Sequence, residues 1–112
     1  MITQGRKAED AALGFLQRQG LKLLERNYRC RFGEIDLVMR DGGATVFVEV
    51  RMRASGAFGG AIESITAAKR ARLLAAARHY LSAHARLAQC RFDAVLLNGD
   101  GRLDWLKDAF GE

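Results

Sequence analysis

The sequence predicts one α/β domain, and three features lead to that prediction. The chain has 112 residues, of which 49% are hydrophobic, which is enough to bury one modest core but not two. Apolar residues recur with helical spacing in two segments and alternate as in strands in the others. No repeat, low-complexity tract, proline or linker interrupts this order. We therefore expect residues 1–112 to form a single domain.

The first half of the chain predicts a helix followed by three strands. Apolar residues with helical spacing cover about residues 5–19, and Gly20 is placed to end that helix. Residues 21–30 predict a first strand of irregular geometry. A hairpin supplies the next two strands, because strand-like segments stand on both sides of the turn-forming pair Gly42-Gly43.

The second half predicts a connection, a long helix and two strands. Three glycines within residues 54–60 favour a flexible connection. The helix runs from about residue 65 to about residue 85, with Ser64 or Thr66 as its capping residue. Two strands complete the domain, a clear one at 92–97 and a short one at 103–106.

The hairpin places two acidic side chains opposite one another. If the paired glycines form a two-residue turn, the register sets Asp36 against Glu49. The same register sets Glu34 against Arg51. Like charges directly opposite in a sheet are destabilising unless something compensates, and a divalent cation between the carboxylates would do so. The alternative is an ordinary solvated face, on which Arg51 neutralises Glu34.

The apolar residues of the hairpin favour a covered acidic face over a solvated one. Val38 and Phe47 interrupt the acidic face, which indicates that it is partly covered. Buried carboxylates need partners or a metal. The opposite face is uniformly apolar and must be buried; it consists of Ile35, Leu37, Met39, Val46, Val48 and Val50.

The basic residues predict a polyanionic partner. Eighteen Lys and Arg against thirteen Asp and Glu give a net charge of +5, and arginine, which suits bidentate phosphate contacts, predominates. An ordinary solvated surface is the alternative. The cations, however, bracket the acidic hairpin, which favours a metal site within a phosphate-binding surface. They are Arg26, Arg29 and Arg31 before the hairpin, Arg51 and Arg53 at its end, and Lys69, Arg70 and Arg72 after it.

Glu9 lies at the edge of the apolar face of the first helix, roughly 80–100° from the centre of that face. From there its carboxylate could reach toward the sheet. A boundary salt bridge with Arg6 or Lys7 is the alternative, and spacing alone favours it slightly.

Other features exclude several classes of protein. No apolar run is long enough to span a membrane, and no apolar segment follows the basic pair near the N-terminus, so we expect a cytoplasmic protein. Cys30 and Cys90 are too few for a disulfide framework or a zinc site, and we expect Cys90 to be a small core residue.

Six motifs resemble the YraN-like family of small bacterial proteins over nearly the whole chain. That family is similar to the restriction-endonuclease-like superfamily, which includes Holliday-junction resolvases. The resemblance implies a mixed central sheet flanked by helices, Mg²⁺-dependent phosphodiester cleavage and binding of nucleic acid. The motifs are Gly5-Arg6-Lys7-Ala8-Glu9-Asp10-Ala11-Ala12, Asn27-Tyr28-Arg29, Gly33-Glu34-Ile35-Asp36-Leu37-Val38, Phe47-Val48-Glu49-Val50-Arg51-Met52-Arg53, Lys69 and Cys90-Arg91-Phe92-Asp93.

The resemblance also implies roles for individual residues. The superfamily motif is an acidic residue followed later by Glu or Asp, any residue and Lys. Asp36 matches the first acid and Glu49 the second, whereas Arg51 stands where the lysine is expected. Glu9 matches the helix acid of the resolvase branch. Arginine keeps the charge but cannot act as a base, so Lys69 is a second candidate for the lysine's role.

The leading hypothesis is a metal-dependent, endonuclease-like protein that acts on structured or branched DNA. Asp36 and Glu49 would hold Mg²⁺ or Mn²⁺ with the carbonyl of Val50, and Glu9 would bind directly or through water. Arg51 and Lys69 complete the candidate catalytic residues. The candidate nucleic-acid-binding residues are Arg29, Arg31, Arg53, Arg70 and Arg72.

Two further hypotheses stay open alongside the leading one. The first is a nucleic-acid-binding module of the same fold that has lost catalysis. The second is a protein-interaction subunit whose basic surface meets an acidic partner. A homodimer is expected only by analogy, because a resolvase cuts two strands.

Overall fold

Within the residues that the structure describes, five strands form one sheet, and a helix packs on each of its faces. The computed structural model of the protein describes residues 4–53, 65–84 and 89–110. The elements in chain order are α1 (Gln4–Arg18), β1 (Lys22–Cys30), β2 (Gly33–Asp41), β3 (Ala44–Arg53), α2 (Ala67–Ala83), β4 (Cys90–Asn98) and β5 (Leu103–Phe110).

The strands lie side by side in chain order, and the sheet is mixed. β3 and β4 are parallel, whereas the other neighbouring pairs are antiparallel. A parallel pair needs a crossover connection, and α2 lies in the chain between these two strands. The prediction of an α/β fold with a mixed central sheet flanked by helices is confirmed.

The start of α2 is fixed by a capping residue. Thr66 has an extended backbone, and its hydroxyl accepts a hydrogen bond from the Lys69 amide at 3.1 Å. Of the two predicted caps, Thr66 is confirmed, while Ser64 and the predicted connection at 54–60 lie outside the described residues. In the described part of the chain, neither helix has the length and apolar character needed to cross a membrane.

Among the described residues the core contains two large clusters, one on each face of the sheet, because successive strand residues point to opposite sides. Ala94 and Leu96 of β4 form a third, smaller cluster. The cluster beneath α1 joins Ala12 and Leu16 to Leu37, Met39, Val46, Val48 and Val95. The cluster beneath α2 joins Leu73, Ala76, Ala77 and Tyr80 to Tyr28, Ile35, Val38, Phe47 and Phe92. The predicted cover over the acidic face of the hairpin is therefore confirmed, and α2 supplies it.

Two core predictions were wrong. Ile35 does not join Leu37 and Met39, since it packs beneath α2 with Tyr28, its pairing partner on β1. The backbone of β1 turns at Asn27, where φ is +54°, and this brings Tyr28 to the α2 face. Cys90 is exposed and not a core residue, because it begins β4 at the end of the sheet.

A buried carboxylate ties β4 to β5. Asp93 is fully buried, and it accepts hydrogen bonds from Arg91 Nε, Trp105 Nε1 and the amide of Asp108, each at 3.0 Å. Arg91 also binds Asp41 at the end of β2, at 2.9 Å. The register of β4 against β5 shifts at this carboxylate. Beyond the shift Phe92 still pairs with Phe110, so β5 extends to residue 110 and is longer than predicted.

Candidate active site

The candidate site lies where β2 and β3 part. Their ladder runs from Asp41–Ala44 to Leu37–Val48, which confirms the register that the paired glycines predict. One position further, Asp36 Oδ2 accepts a hydrogen bond from the Val50 amide at 2.9 Å. A side-chain carboxylate thus bonds to the β3 backbone at the end of the ladder, and this holds Asp36 beside Glu49.

Glu34 has a different neighbour from the one predicted. The ladder between β2 and β3 stops before it, and on its other side Glu34 pairs with β1. Its carboxylate lies 3.2 Å from Arg29 Nε, and both side chains are largely exposed. Arg29 on β1 therefore neutralises Glu34, whereas Arg51 lies on β3 beyond the end of the ladder.

Glu49 is nearly fully buried and faces a lysine from α2. Its side chain is 4% exposed, and Lys69 Nζ lies 2.8 Å from its Oε2 atom. The same oxygen has no hydrogen bond of good geometry within the described residues. The Thr66 cap holds the backbone of Lys69 at the start of α2, so helix capping and the ion pair position one residue together.

Asp36 holds its proton near neutral pH. Burial, the hydrogen bond to Glu49 and the charge of Glu49 raise the pKa of Asp36 to about 8, with a smaller contribution from Glu9. The hydrogen bond from the Val50 amide opposes that rise. Two carboxyl groups therefore share a site that contains one lysine contact, and the excess negative charge is compensated by a proton or by another cation.

An open hollow of about 510 Å³ gives access to Asp36 and Lys69, whereas the buried Glu49 is not among its lining residues. Both helices and β3 contribute to its wall, so the site forms only in the folded domain. Its lining residues are Gly5, Ala8, Glu9, Asp36, Val50, Arg51, Met52 and Lys69.

The donor set fits a hard divalent cation with two protein carboxylates. Asp36 and Glu49 provide oxygen ligands, and Val50 lies in the same wall. Across the described ranges, no three His, Cys, Asp or Glu side chains come close enough together to hold a metal jointly. Such a cation would therefore retain water molecules, as Mg²⁺ commonly does.

Glu9 lines the same hollow as Asp36 and forms an ion pair with a residue of β1. Its Oε1 atom is 3.4 Å from Arg26 Nε, and Arg26 also contacts Asp10. Of the two roles weighed for Glu9, the structure shows a boundary salt bridge, but to Arg26. Glu9 also lines the hollow and acts on Asp36 through its charge.

Two of the five predicted nucleic-acid-binding residues line a hollow. Arg29 and Arg72 line a second hollow of about 420 Å³, which shares Lys69 with the first. Arg31 is exposed in the turn between β1 and β2, and Arg70 is half-buried on α2. The backbone of Arg53 pairs with β4, while its side chain lies outside the described part of the chain.

The comparison with known proteins decides the family. Residues 8–97 match the uncharacterised protein family UPF0102. The chain belongs to this family. A UPF0102 protein of Nitrosomonas europaea is 58% identical over 111 residues, covering 97% of this chain and 94% of that protein. A Cupriavidus taiwanensis relative is 58% identical over 108 residues, covering 96% and 82%. One from Shewanella loihica is 50% identical over 109 residues, covering 97% and 95%.

The region that matches UPF0102 contains all the charged residues of the carboxylate site, which are Glu9, Asp36, Glu49, Arg51 and Lys69. It begins just before Glu9 and ends within β4. The resemblance to the YraN-like family, which is UPF0102, is confirmed.

Sequence reasoning missed two residues that organise this UPF0102 domain. Arg26 was grouped with phosphate-binding cations, yet it holds Glu9 and Asp10 of α1. Asp93 received no role, although four hydrogen-bond donors converge on it from Arg91, Trp105 and Asp108. An isolated aspartate within an apolar strand is the one signal that could have marked Asp93, since buried carboxylates need partners.

Proposed function

We propose that this UPF0102 protein is a Mg²⁺-dependent, endonuclease-like protein that acts on structured or branched DNA. One observation supports the proposal above all. The half-buried Asp36 lies beside the buried Glu49 where two strands separate, and Lys69 Nζ is 2.8 Å from Glu49. Asp36 and Lys69 line a hollow that is open to a ligand. This is the donor and charge arrangement that phosphodiester hydrolysis requires.

The carboxylate pair would hold the metal. Asp36 and Glu49 would be the ligands, with the Val50 carbonyl as a further oxygen. Because no three acidic side chains of the described residues come close enough to hold a metal jointly, Glu9 would act through water and not as the direct ligand that was also predicted. When bound, Mg²⁺ or Mn²⁺ would neutralise charge on the phosphate and lower the pKa of a bound water molecule. The proton that Asp36 keeps in the metal-free protein leaves when this carboxylate becomes a ligand.

Arg51 stands at the position of the motif lysine, and Lys69 takes over that lysine's role from α2. Its ammonium group touches the second acid, so a phosphate beside Glu49 lies within its reach. There it stabilises negative charge at phosphorus and orients the attacking water. Arg51 lines the same hollow, and its permanently charged guanidinium group orients the phosphate without exchanging protons.

Arg29 and Arg72 would bind the DNA backbone outside the site. They line the hollow that adjoins Lys69, so phosphates on one side of the scissile bond meet guanidinium groups. A homodimer would present two such sites to the two strands of a branch. A cytoplasmic location follows from this substrate.

A catalytically silent DNA-binding module of the same fold is the second candidate. It is favoured by one observation, the arginine at position 51, where the motif has lysine. Incubation with labelled branched, duplex and single-stranded DNA, with Mg²⁺, Mn²⁺ or EDTA, tests both candidates. Metal-dependent cleavage that Asp36→Asn abolishes supports the first candidate. Tight binding without cleavage supports the second candidate. The absence of both binding and cleavage contradicts both candidates.

If cleavage occurs, Lys69→Ala is expected to lower kcat about 100-fold, because it removes a preorganised positive group from the developing charge. Arg51→Lys should preserve most activity, whereas Arg51→Ala should remove most of it. Lys22→Ala, an exposed lysine on β1, is the matched control. Melting curves check folding, since Lys69→Ala leaves Glu49 without this ion pair. Undiminished activity of Lys69→Ala would show that another group has the lysine's role.

Reversing Arg29 and Arg72 to glutamate is expected to weaken DNA binding and to flatten its salt dependence. Each lost phosphate contact lowers the slope of log affinity against log salt by about 0.9. The matched control reverses Arg18 and Arg102, which are exposed elsewhere and change the net charge equally. Fluorescence anisotropy over a salt series measures the affinity for DNA and its salt dependence. Equal effects of the two double variants would show that only net charge matters.

A further inference from the structure

We propose that Phe32, in the turn between β1 and β2, is a stacking site for an unpaired base of the bound nucleic acid. The inference rests on the proposed function and narrows its substrate class. The substrate would carry a single-stranded segment next to the bond that lies at Lys69 and Glu49. We refer to Arg31, Phe32 and His79 together as the aromatic turn.

Phe32 is exposed although it is a large aromatic residue. Its relative exposure is 41%, and among the described residues it is the one aromatic in the group of exposed large hydrophobic side chains. The guanidinium carbon of Arg31 lies 4.9 Å from its ring centroid. The ring of His79 lies 5.8 Å away, tilted by 56°. An exposed ring beside cationic and aromatic groups is what proteins use to stack bases of single strands.

The aromatic turn is held in place from below. His79 Nδ1 forms a hydrogen bond with the hydroxyl of Tyr28, which is buried in the core beneath α2. Gly33, directly after Phe32, approaches α2 closely, since a Cβ atom there would lie 3.0 Å from the carbonyl oxygen of Arg72. These contacts fix the turn before any ligand arrives, and a preorganised surface loses less entropy on binding.

A basic cleft leads from the aromatic turn to the carboxylate site. The hollow that shares Lys69 with the active site also reaches Cys30 and Gly33, which flank the turn. Lys69, Arg72 and His79 recur along one face of α2, and ten residues of helix span about 15 Å. Two cations of α2, Lys69 and Arg72, thus line the hollow between the carboxylate site and the aromatic turn, together with Arg29 and its ion-pair partner Glu34.

The chemistry favours an unpaired base over other partners. A paired base within a duplex presents edges in the grooves and hides its faces, so it cannot stack on Phe32. A protein partner would be expected to use several apolar side chains, whereas a single exposed ring stands here among Arg29, Arg31 and Arg72.

The test compares forked DNA with blunt duplex DNA of the same length, measured by fluorescence anisotropy in EDTA so that cleavage does not interfere. Phe32→Ala is expected to weaken binding of the fork about tenfold and to leave the blunt duplex within twofold of the wild type. Phe32→Trp should restore fork binding, and its added tryptophan fluorescence should be quenched by the fork. Leu23→Ala, which removes another exposed apolar side chain of similar exposure on β1, is the matched control.

The outcomes separate this inference from the proposed function. If the wild type binds DNA but Phe32→Ala affects fork and duplex equally, or neither, then stacking at Phe32 is wrong and the endonuclease proposal stands. A wild type that binds no DNA in any form overturns both. Loss of fork binding in Leu23→Ala as large as in Phe32→Ala also overturns the stacking site, because the effect would not be specific to the ring.

Discussion

Asp93→Ala is expected to lower the free energy of unfolding by about 3–5 kcal/mol, which is the cost of breaking a buried ion pair by removing one partner. The reason is geometric. Asp93 is fully buried, and its carboxylate accepts from Arg91, from the Trp105 indole and from the backbone of Asp108. Without it, the Trp105 indole and the Asp108 amide lose this acceptor, and the partly buried Arg91 guanidinium keeps only its bond to Asp41 among the acceptors within the described residues.

Denaturant unfolding followed by circular dichroism measures this effect. Asp104→Ala, an exposed aspartate on β5, is the matched control, and we expect it to stay within about 0.5 kcal/mol of the wild type. Asp93→Asn should fall in between, since the amide oxygen still accepts hydrogen bonds while the charge pairing with Arg91 is lost. A loss below 1 kcal/mol for Asp93→Ala would contradict the role of this carboxylate as a structural anchor.

Asp36→Asn, in contrast, is expected to raise the free energy of unfolding and so to stabilise the metal-free protein at pH 8. The pKa of Asp36 is raised from 3.8 to about 8 on folding. Its protonated form is therefore favoured in the folded state, and stability that is fully present below pH 4 is lost as the pH rises toward 8. Asparagine cannot ionise and still offers an oxygen to the Val50 amide. At pH 8 we expect a gain of at least about 1 kcal/mol, or about 4 °C in Tm.

Melting curves between pH 4 and pH 8, recorded in EDTA and then with Mn²⁺, measure the difference in stability between Asp36→Asn and the wild type. The difference between Asp36→Asn and the wild type should vanish near pH 4 and grow toward pH 8. Mn²⁺ should raise the Tm of the wild type and not that of the variant, because ligand binding to the folded state stabilises it. Glu25→Gln, a substitution of a carboxylate on β1, serves as the control. A pH-independent loss of stability in Asp36→Asn would contradict the raised pKa.

The sequence alone was sufficient to predict the hairpin and its acidic pair. A two-residue turn fixes the register of the strands it joins, so the pair Gly42-Gly43 determined which residues face each other. The pairing of Asp41 with Ala44 confirms this step, on which the position of Asp36 beside Glu49 depends. Helical periodicity likewise placed both helices within about two residues of their observed ends.

Contacts between distant elements could not be predicted in this way. Charge and spacing along α1 do not indicate which residues of β1 contact it. The predicted partners of Glu9 were therefore its neighbours Arg6 and Lys7, whereas the structure shows Arg26 of β1. The face to which Ile35 points depends on strand geometry around the positive φ of Asn27, which alternation cannot reveal. The contact of Lys69 with Glu49 depends on how α2 crosses the sheet, and the sequence left its role open between two cations.

The parallel pairing of β3 with β4 has a consequence for the order in which the site assembles. Asp36 and Glu49 meet within a local hairpin, a unit that can form in microseconds. Lys69 reaches Glu49 only when the crossover through α2 is in place, and closing such a long loop is slow. In a refolding experiment the hairpin should therefore acquire protection from hydrogen exchange before β4 does. Until the crossover closes, the two acids lie together without their lysine.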